Sequence, residues 1–377
     1  MRSIALIAGL AALAAASPTP QVFPSDQLAD LPSPPISDVP SGAGQDIIPL
    51  DVNAVVANAV ADIIADPTPD LDANIPAAIN TTTLEKRTAG DCAVQPAGYG
   101  PTSPDVADDP NSFLSSTLLA GPALAAPQWV NGFHRTFQNK QASVSGCSYQ
   151  GYKTYQTYDV TQAAADCKNI AGCKGFNIFY ERDPTKDPGS GCPNPASTTV
   201  IKVSFWGNLI GENLATNKGQ YRDQFQVVIA GSNGYNVDAC ETAVQGWTQT
   251  QLGSCSINAP KSYCLPDNSD SYLTVKTFSD GNFDNSRCKA QCDIITKQSP
   301  DTPCNFFTSY MQVKNGQCGV QQCAFYKRAW DKSYCTNTGD PVNKITIAWA
   351  SSFTNNACDG TEFCNLTPNV LTTATAV

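Results

Sequence analysis

Apolar positions divide this chain into three regimes. Ile4 to Ala16 is an unbroken apolar run behind a basic start, Met1-Arg2. From residue 17 to 85 the apolar residues are scattered among Pro, Ala and Asp. Only "DVNAVVANAVADII" (Asp51 to Ile64) has spacing that predicts a short amphipathic helix. Further on, short strand-like and helical stretches alternate. "CKGFNIFY" (Cys173 to Tyr180), "FQVVIAGS" (Phe225 to Ser232), "CNFFTSYM" (Cys304 to Met311) and "ITIAWASS" (Ile345 to Ser352) predict strands. "TQAAADCKNI" (Thr161 to Ile170) and "NSRCKAQCDII" (Asn285 to Ile295) predict helices. Helical spacing places Cys288 and Cys292 one turn apart on one face. Trp206 and Trp349 fall on strand positions and read as core.

These segments form a repeat. "KTYQTYDVTQAAADC" (Lys153 to Cys167) matches "KTFSDGNFDNSRCKAQC" (Lys276 to Cys292): Lys-Thr-aromatic, then aromatic-Asp, then a helix ending in Cys. "VSFWGNLIGENLATNKG" (Val203 to Gly219) matches "CAFYKRAWDKSYCTNTG" (Cys323 to Gly339) without a gap at an offset of 120. There Phe205 meets Phe325, Trp206 meets Tyr326, and Thr216-Asn217-x-Gly219 meets Thr336-Asn337-x-Gly339. The match continues with Phe225, Val227 and Ile229 against Ile345, Ile347 and Trp349. Each unit reads strand, turn, Cys-bearing helix, Cys-entered strand, loop, aromatic strand, Asn-x-Gly turn, last strand. One helix on an antiparallel sheet is an α+β module.

The leading apolar run, closed by Ala14-x-Ala16, is expected to be a signal peptide over residues 1–16. Its thirteen residues are too few to span a bilayer. No later segment is apolar enough for membrane insertion, and the tail is too polar for a lipid anchor. Residues 17–85 carry no Lys or Arg and too few apolar groups to bury, so disorder is expected. Lys86-Arg87 then sits where the composition changes, as a processing site for a kexin-type protease would. Removing residues 1–87 takes away ten acids and three bases; 20 bases and 23 acids remain, a net charge near −3 rather than −10. The released chain has no basic field for nucleic acid.

All 16 cysteines lie between Cys92 and Cys364, a density that fits a disulfide framework in an oxidising compartment. There is no C-x-x-C, and His134 is the only histidine, so no metal and no cofactor is expected. Nucleophilic catalysis would need His134 as base, and it stands in "WVNGFHRTF" far from any G-x-S-x-G; a satisfied structural or exposed role is expected. Glu181, Asp183 and Asp187 could form a glycosidase-type carboxyl pair. Against that, Arg182 is expected to pair with one of them and Asp183-Pro184 to start a turn. "DGNFD" (Asp280 to Asp284) has two acids and an Asn but not the full calcium-loop spacing; it reads as a turn with Gly281 at positive φ.

At Cys288-x3-Cys292, Cys304-x-Phe306 and Cys323-x-Phe325 the chain resembles the PAN/apple superfamily. With "FNIFYERDP…CPNPASTT" and "FQVVIAGSNGY" it resembles secreted ascomycete proteins carrying two such units, over roughly Cys147 to Phe353. The resemblance implies tandem α+β modules with helix cysteines tied to central strands, and binding of proteins or carbohydrates rather than catalysis. The first unit departs from it: Ala163 stands where Cys288 stands, and Val203 where Cys323 stands. A bridge partner left alone would be a free thiol, so bridges are lost as pairs. Cys288–Cys323 is therefore expected as one bond, and Cys167–Cys173 and Cys292–Cys304 as equivalent bonds. The expected organisation is signal peptide 1–16, pro-segment 17–87, Pro/Gly-rich arm 88–145, module 146–240, linker 241–262, module 263–354 and tail 355–377.

The expected function is that of a secreted, non-enzymatic binding or adhesion protein, recognising a glycan or protein at the cell surface, wall or matrix. A structural wall or matrix protein without a specific ligand is the alternative, and an uncharacterised secreted hydrolase the third. Tyr149, Tyr152, Tyr155 and Tyr158 recur at near-strand spacing and could stack on a ligand, although half of such a row faces its own sheet's helix. Asn365-Leu366-Thr367 is the one N-glycosylation sequon after residue 87 and is expected to be exposed. Processing after Lys86-Arg87 makes a definite prediction: the secreted form begins at Thr88. N-terminal sequencing of culture supernatant checks it, and a start at Ser17 would rule it out.

Overall fold

A computed structural model describes residues 36–48, 90–238, 244–259, 270–314 and 319–357. The signal run, the Asp51–Ile64 stretch, Lys86-Arg87 and Asn365 lie outside the described residues. The fold is mixed, with mostly antiparallel strands and few helices, held by disulfides.

In chain order the strands of the two main sheets are β1 (Gln45–Ile47), β2 (Trp129–Val130), β3 (Phe133–Lys140), β4 (Tyr149–Tyr155), β5 (Gly175–Pro184), β6 (Ser197–Trp206), β7 (Val228–Val237), β8 (Trp247–Gly253), β9 (Tyr272–Phe278), β10 (Phe306–Lys314), β11 (Val320–Tyr326) and β12 (Ile345–Asn355). The helices are α1 (Pro110–Ser115), α2 (Thr117–Ala125), α3 (Val160–Asn169) and α4 (Asn285–Gln298). The first sheet runs β1-β4-β6-β5-β7-β3-β2 and the second β8-β12-β10-β11-β9. Reading β4, β6, β5, β7, β3 against β9, β11, β10, β12, β8, the spatial order is the same.

The register repeats too. Lys153 lies opposite Val203, and Lys276 opposite Cys323. Phe176 lies opposite Phe205 and Tyr235; Phe307 lies opposite Phe325 and Phe353. In each unit the central ring stacks on that of the last strand, Phe176 on Tyr235 at 4.9 Å and Phe307 on Phe353 at 4.6 Å. The helix covers this aromatic triple, and its Cys is buried in the same cluster. Asp159 and Asp284 start the two helices as N-caps, accepting from Thr161 N and Ser286 N at 2.8 and 2.9 Å. Asn217 and Asn337 each accept from the glycine two residues on. Gly219 (φ 91°) and Gly339 (φ 106°) are required there, because a Cβ would meet the Val227 or Ile345 carbonyl oxygen at 2.1 or 2.3 Å.

Cys167 bonds Cys173, Cys292 bonds Cys304 and Cys288 bonds Cys323, the three pairs that the repeat singles out. Two further bonds had no local signal: Cys92–Cys192 ties the N-terminal arm to the loop after β5, and Cys255–Cys335 belongs to the second unit. Ala163 and Val203, which replace the missing bond of the first unit, are fully buried in one apolar cluster.

Three expectations change. The region 88–145 is more than an arm, since β3 is a sheet strand buried through Phe133 and Phe137, and α2 seats Leu119 and Ala123 against the sheet. The 241–262 linker contains β8, which pairs with β12 just as β3 pairs with β7. Both strands are half polar and carry no cysteine, which hid them. Residues 36–48 of the expected disordered pro-segment are placed on the first sheet, where Gln45–Ile47 adds an edge strand to β4.

The paired loss of the second staple predicts a stability order. Cys288→Ala with Cys323→Val installs the first unit's residues, and the double variant should fold with a loss of up to about 4 kcal/mol, the loop-entropy value for a separation of 35 residues. Cys288→Ala alone leaves a buried thiol and should be secreted in lower yield than the double. Secretion yield and thermal unfolding check this; the reverse order would overturn the pairwise argument.

Candidate functional site

The two units meet through the turn Asp280–Asp284. Gly281 (φ 79°) offers its carbonyl to Asn208 Nδ2 at 2.6 Å, and Phe283 N donates to Gly207 O at 3.4 Å. The acids of this turn are engaged locally. Asp280 accepts from Asn282 N at 3.1 Å and from Arg287 at 2.7 Å, and Asp284 caps α4. The sequence resembled a broken calcium loop; its place in the fold is a hinge-like contact between units.

Beside this contact lies a cleft of about 370 Å³. Its first wall is built by His134 and Thr136 of β3, by Asn236 of β7 and by the loop Asn208–Leu214. Its second is built by Val313 of β10 and by Thr346, Ala348 and Trp349 of β12. Two polar atoms of the first wall, His134 Nδ1 and Thr136 Oγ1, are shielded from solvent and have no hydrogen-bond partner, and such groups call for an explanation in a folded protein. His134 also packs against Trp129 at 5.4 Å, whose ring is 62% exposed. The satisfied role expected for His134 therefore does not hold for Nδ1.

Trp349 departs from its expected core position as well. The sequence alignment sets it against Ile229, which is fully buried, but the strand ladders set it against Gly231 (φ 60°) and set Ile229 against Ile347; Trp349 is half-buried and lines the cleft. The cause is a register shift between β10 and β12, from Ser309↔Ser351 to Met311↔Ala348. Trp349 sits in this bulge with φ 56°, a left-handed backbone that is costly for a large side chain. Phe283 of the inter-unit turn supports the indole edge-on at 6.2 Å. Trp206, by contrast, is fully buried as expected.

The tyrosine row does not form a surface. A bulge between Tyr149 and Tyr152, with Gly151 at φ 95°, breaks the alternation. Tyr149 packs on Trp206, and Tyr152 lies over Lys202 on the same face. Tyr155 is buried on the helix side, donating to Asp166 at 2.5 Å. Tyr158 stacks on Tyr180 and donates to Gly231 O at 2.7 Å. Burial raises the phenol pKa of Tyr155 and Tyr158 well above the ordinary value. Tyr155 and Tyr158 are thus core residues, and of the proposed trio only Tyr152 keeps a place beside a candidate surface.

The carboxyl pair is arranged differently from expectation. Arg182 pairs with Asp108 at 2.6 Å, not with its neighbours, and Asp183-Pro184 continues β5 instead of turning. Glu181 and Asp183 share one face of β5 and are both buried. Glu181 forms a buried ion pair with Lys202 of β6 at 2.5 Å. Apart from a carboxyl–carboxyl contact with Glu181, neither oxygen of Asp183 has a hydrogen-bond partner. Burial, and secondarily the Glu181 charge, hold its carboxyl well above the usual range, against partial opposition from Lys202 and Arg222. Asp187 is held by Arg222. Among the described residues no cluster of His, Cys, Asp and Glu could hold a metal ion.

No family model, no curated protein and no solved structure matches this chain. Among the described residues no helix is long and apolar enough to cross a membrane. The disulfides fit an extracellular protein.

The Asp183 environment predicts a pH dependence. A carboxyl raised by folding keeps its proton longer in the native state, so its contribution is full at low pH and is lost as pH rises above about 4. Asp183→Asn removes that loss. The variant's stability relative to the parent should grow with pH, measured by thermal unfolding at several pH values; a pH-independent difference would refute the assignment.

Proposed function

We propose that this is a secreted, non-catalytic binding protein whose two PAN/apple-like modules present a glycan or protein ligand site, at the cell surface, wall or matrix, in the cleft between them. The observation that carries this is Trp349: a half-buried indole kept in a left-handed bulge, where Gly231 (φ 60°) occupies the equivalent bulge of the other unit. Backbone strain persists where surrounding structure enforces it, and such positions gather at ligand sites. The indole lines a concave site whose other wall includes His134, Thr136 and Asn236. A flat apolar ring beside a few polar groups suits a sugar ring, whose faces are apolar and whose rim is hydroxylated. The module assignment is supported by the matching strand order, the stapled helices and the paired absence of one staple. The buried state of Glu181 and Asp183 favours this reading over a hydrolase, since neither carboxyl faces the cleft's lining.

Trp349→Gly tests the site. Glycine is at home at φ 56°, so folding is retained while the platform is removed. On a glycan array and in pull-downs with wall polysaccharides, the variant should bind at least about tenfold more weakly than the parent, a loss of about 1.4 kcal/mol or more. Unchanged binding would move the site elsewhere. A parent that retains neither glycans nor proteins would leave the structural wall or matrix reading.

A further inference from the structure

Residues 36–48, "ISDVPSGAGQDII", lie on the first sheet as a foreign strand would. β1 pairs antiparallel with β4, Gln45 opposite Lys153 and Ile47 opposite Gly151. Ser37 and Gly146 exchange backbone hydrogen bonds of 2.7 and 3.1 Å. Gly44 accepts from Thr154 N at 2.9 Å, and Ile48 N donates to Gln150 O at 3.0 Å. Val39 is 3% exposed, inserted in the cluster of Phe179, Trp206 and Ile229.

Between these ends the segment covers the buried ion pair. Lys202 Nζ donates to Pro40 O at 2.7 Å, and Gly42 N donates to Glu181 Oε1 at 3.0 Å. The lysine and glutamate thus receive one backbone acceptor and one backbone donor, the groups that any extended peptide offers. Two glycines shape the contact, one through its backbone conformation and one through close approach. Gly42 takes φ 98°, and on the sheet side a Cβ on Gly151 would lie 1.8 Å from Asp46 O. A β4 edge without this segment would present unpaired backbone groups, the template used in strand addition.

The covalent chemistry is one-sided. No cysteine precedes Cys92, so nothing cross-links residues 36–48 to the rest once the chain is cut at Lys86-Arg87. Immediately beyond that site, Cys92–Cys192 fastens the retained arm to the loop after β5. Cutting there leaves one side anchored and the other held by non-covalent contacts alone.

We propose that the β4 edge with Tyr152, Glu181 and Lys202 is a peptide-binding groove for an extended, glycine-containing strand with a small apolar residue at the Val39 position, closed in the precursor by residues 36–48 and opened by cleavage at Lys86-Arg87. It rests on that cleavage and not on ligand binding in the inter-unit cleft.

The test uses the full chain, cut in solution by a Lys-Arg-specific protease, beside the uncleavable Lys86→Ala/Arg87→Ala form. Native mass spectrometry and anisotropy of a fluorescent 36–48 peptide are read together, with near-ultraviolet circular dichroism reporting the fold. After cleavage and dilution the N-terminal fragment should dissociate. The free peptide should then bind the cut chain with one-to-one stoichiometry and should not bind the uncleavable form. Val39→Asp in the peptide should weaken binding at least about tenfold. Trp349→Gly should leave peptide binding unchanged, which separates this groove from the cleft. A fragment that stays bound through dilution, equal peptide binding to both forms, no binding to the folded cut chain, or loss of its fold on fragment release would each overturn the proposal.

Discussion

Everything else in this molecule hangs on clamping one short helix to the five strands that the two units share, over three packed aromatic rings. A three- or four-turn helix has little helical stability of its own in water. It is held because a bond from the last turn of α3, Cys167–Cys173, or from the middle of α4, Cys292–Cys304, closes immediately before the strand that carries Phe176 or Phe307. The loop-entropy gain of such short loops is modest. Their value lies in fixing the helix register over the triple Phe176, Phe205, Tyr235 or its counterpart Phe307, Phe325, Phe353. With that register fixed, the remaining surfaces of the two units are free to differ, and they do.

In the first unit the differences lie on the face of the sheet away from the helix; in the second they start from the helix itself. In the first unit that face carries a buried Lys202–Glu181 pair, the Asp183 carboxyl and the strand of residues 36–48. A buried ion pair is weak support for stability, because desolvation offsets attraction. Its persistence is more easily understood through what it binds: Pro40 O and Gly42 N complete its hydrogen bonds. In the second unit, Arg287 is buried among Gln321, Asp280 and the Asn282 carbonyl. That network shapes the Asp280–Asp284 turn, which reaches across to Asn208 and sets Phe283 beneath Trp349. One unit spends its buried charge on an appendage, the other on the contact between units.

What could be read in the sequence was whatever repeats locally. The Asp N-caps, the Asn-x-Gly turns and the three staple bonds each depend on residues whose chemistry is unusual and whose spacing recurs. The strands β3 and β8 were missed because they alternate polar residues with few apolar ones and precede their modules, where no cysteine marks them. Cys92–Cys192 and Cys255–Cys335 join residues 100 and 80 apart, and nothing local specifies such pairs. The tyrosine row misled because its spacing is three residues and not two: Tyr152 and Tyr155 fall on opposite faces, while the bulge at the left-handed Gly151 brings Tyr149 to the face of Tyr152. Trp349 misled because the ungapped alignment is two residues out by the last strand: both units bulge there, and Trp349 falls on Gly231 instead of Ile229.

The two candidate surfaces converge on one loop. Ser37, at the start of the covering strand, pairs with Gly146, and Gly146 also lines the cleft between the units. A Cβ on Gly146 would touch the Trp206 ring at 3.4 Å, so the loop rests directly on the buried face of the first sheet. Cys147, next in sequence, is disulfide-bonded and limits how far this loop can move. Asn177 Oδ1 adds a buried anchor, accepting from Val144 N at 2.9 Å. Removing residues 36–48 therefore takes away one hydrogen-bonded neighbour of Gly146 without freeing the loop. If the proposed cleavage releases that strand, the remaining anchors would hold the cleft wall, and the proposed groove and cleft would lie side by side on one loop.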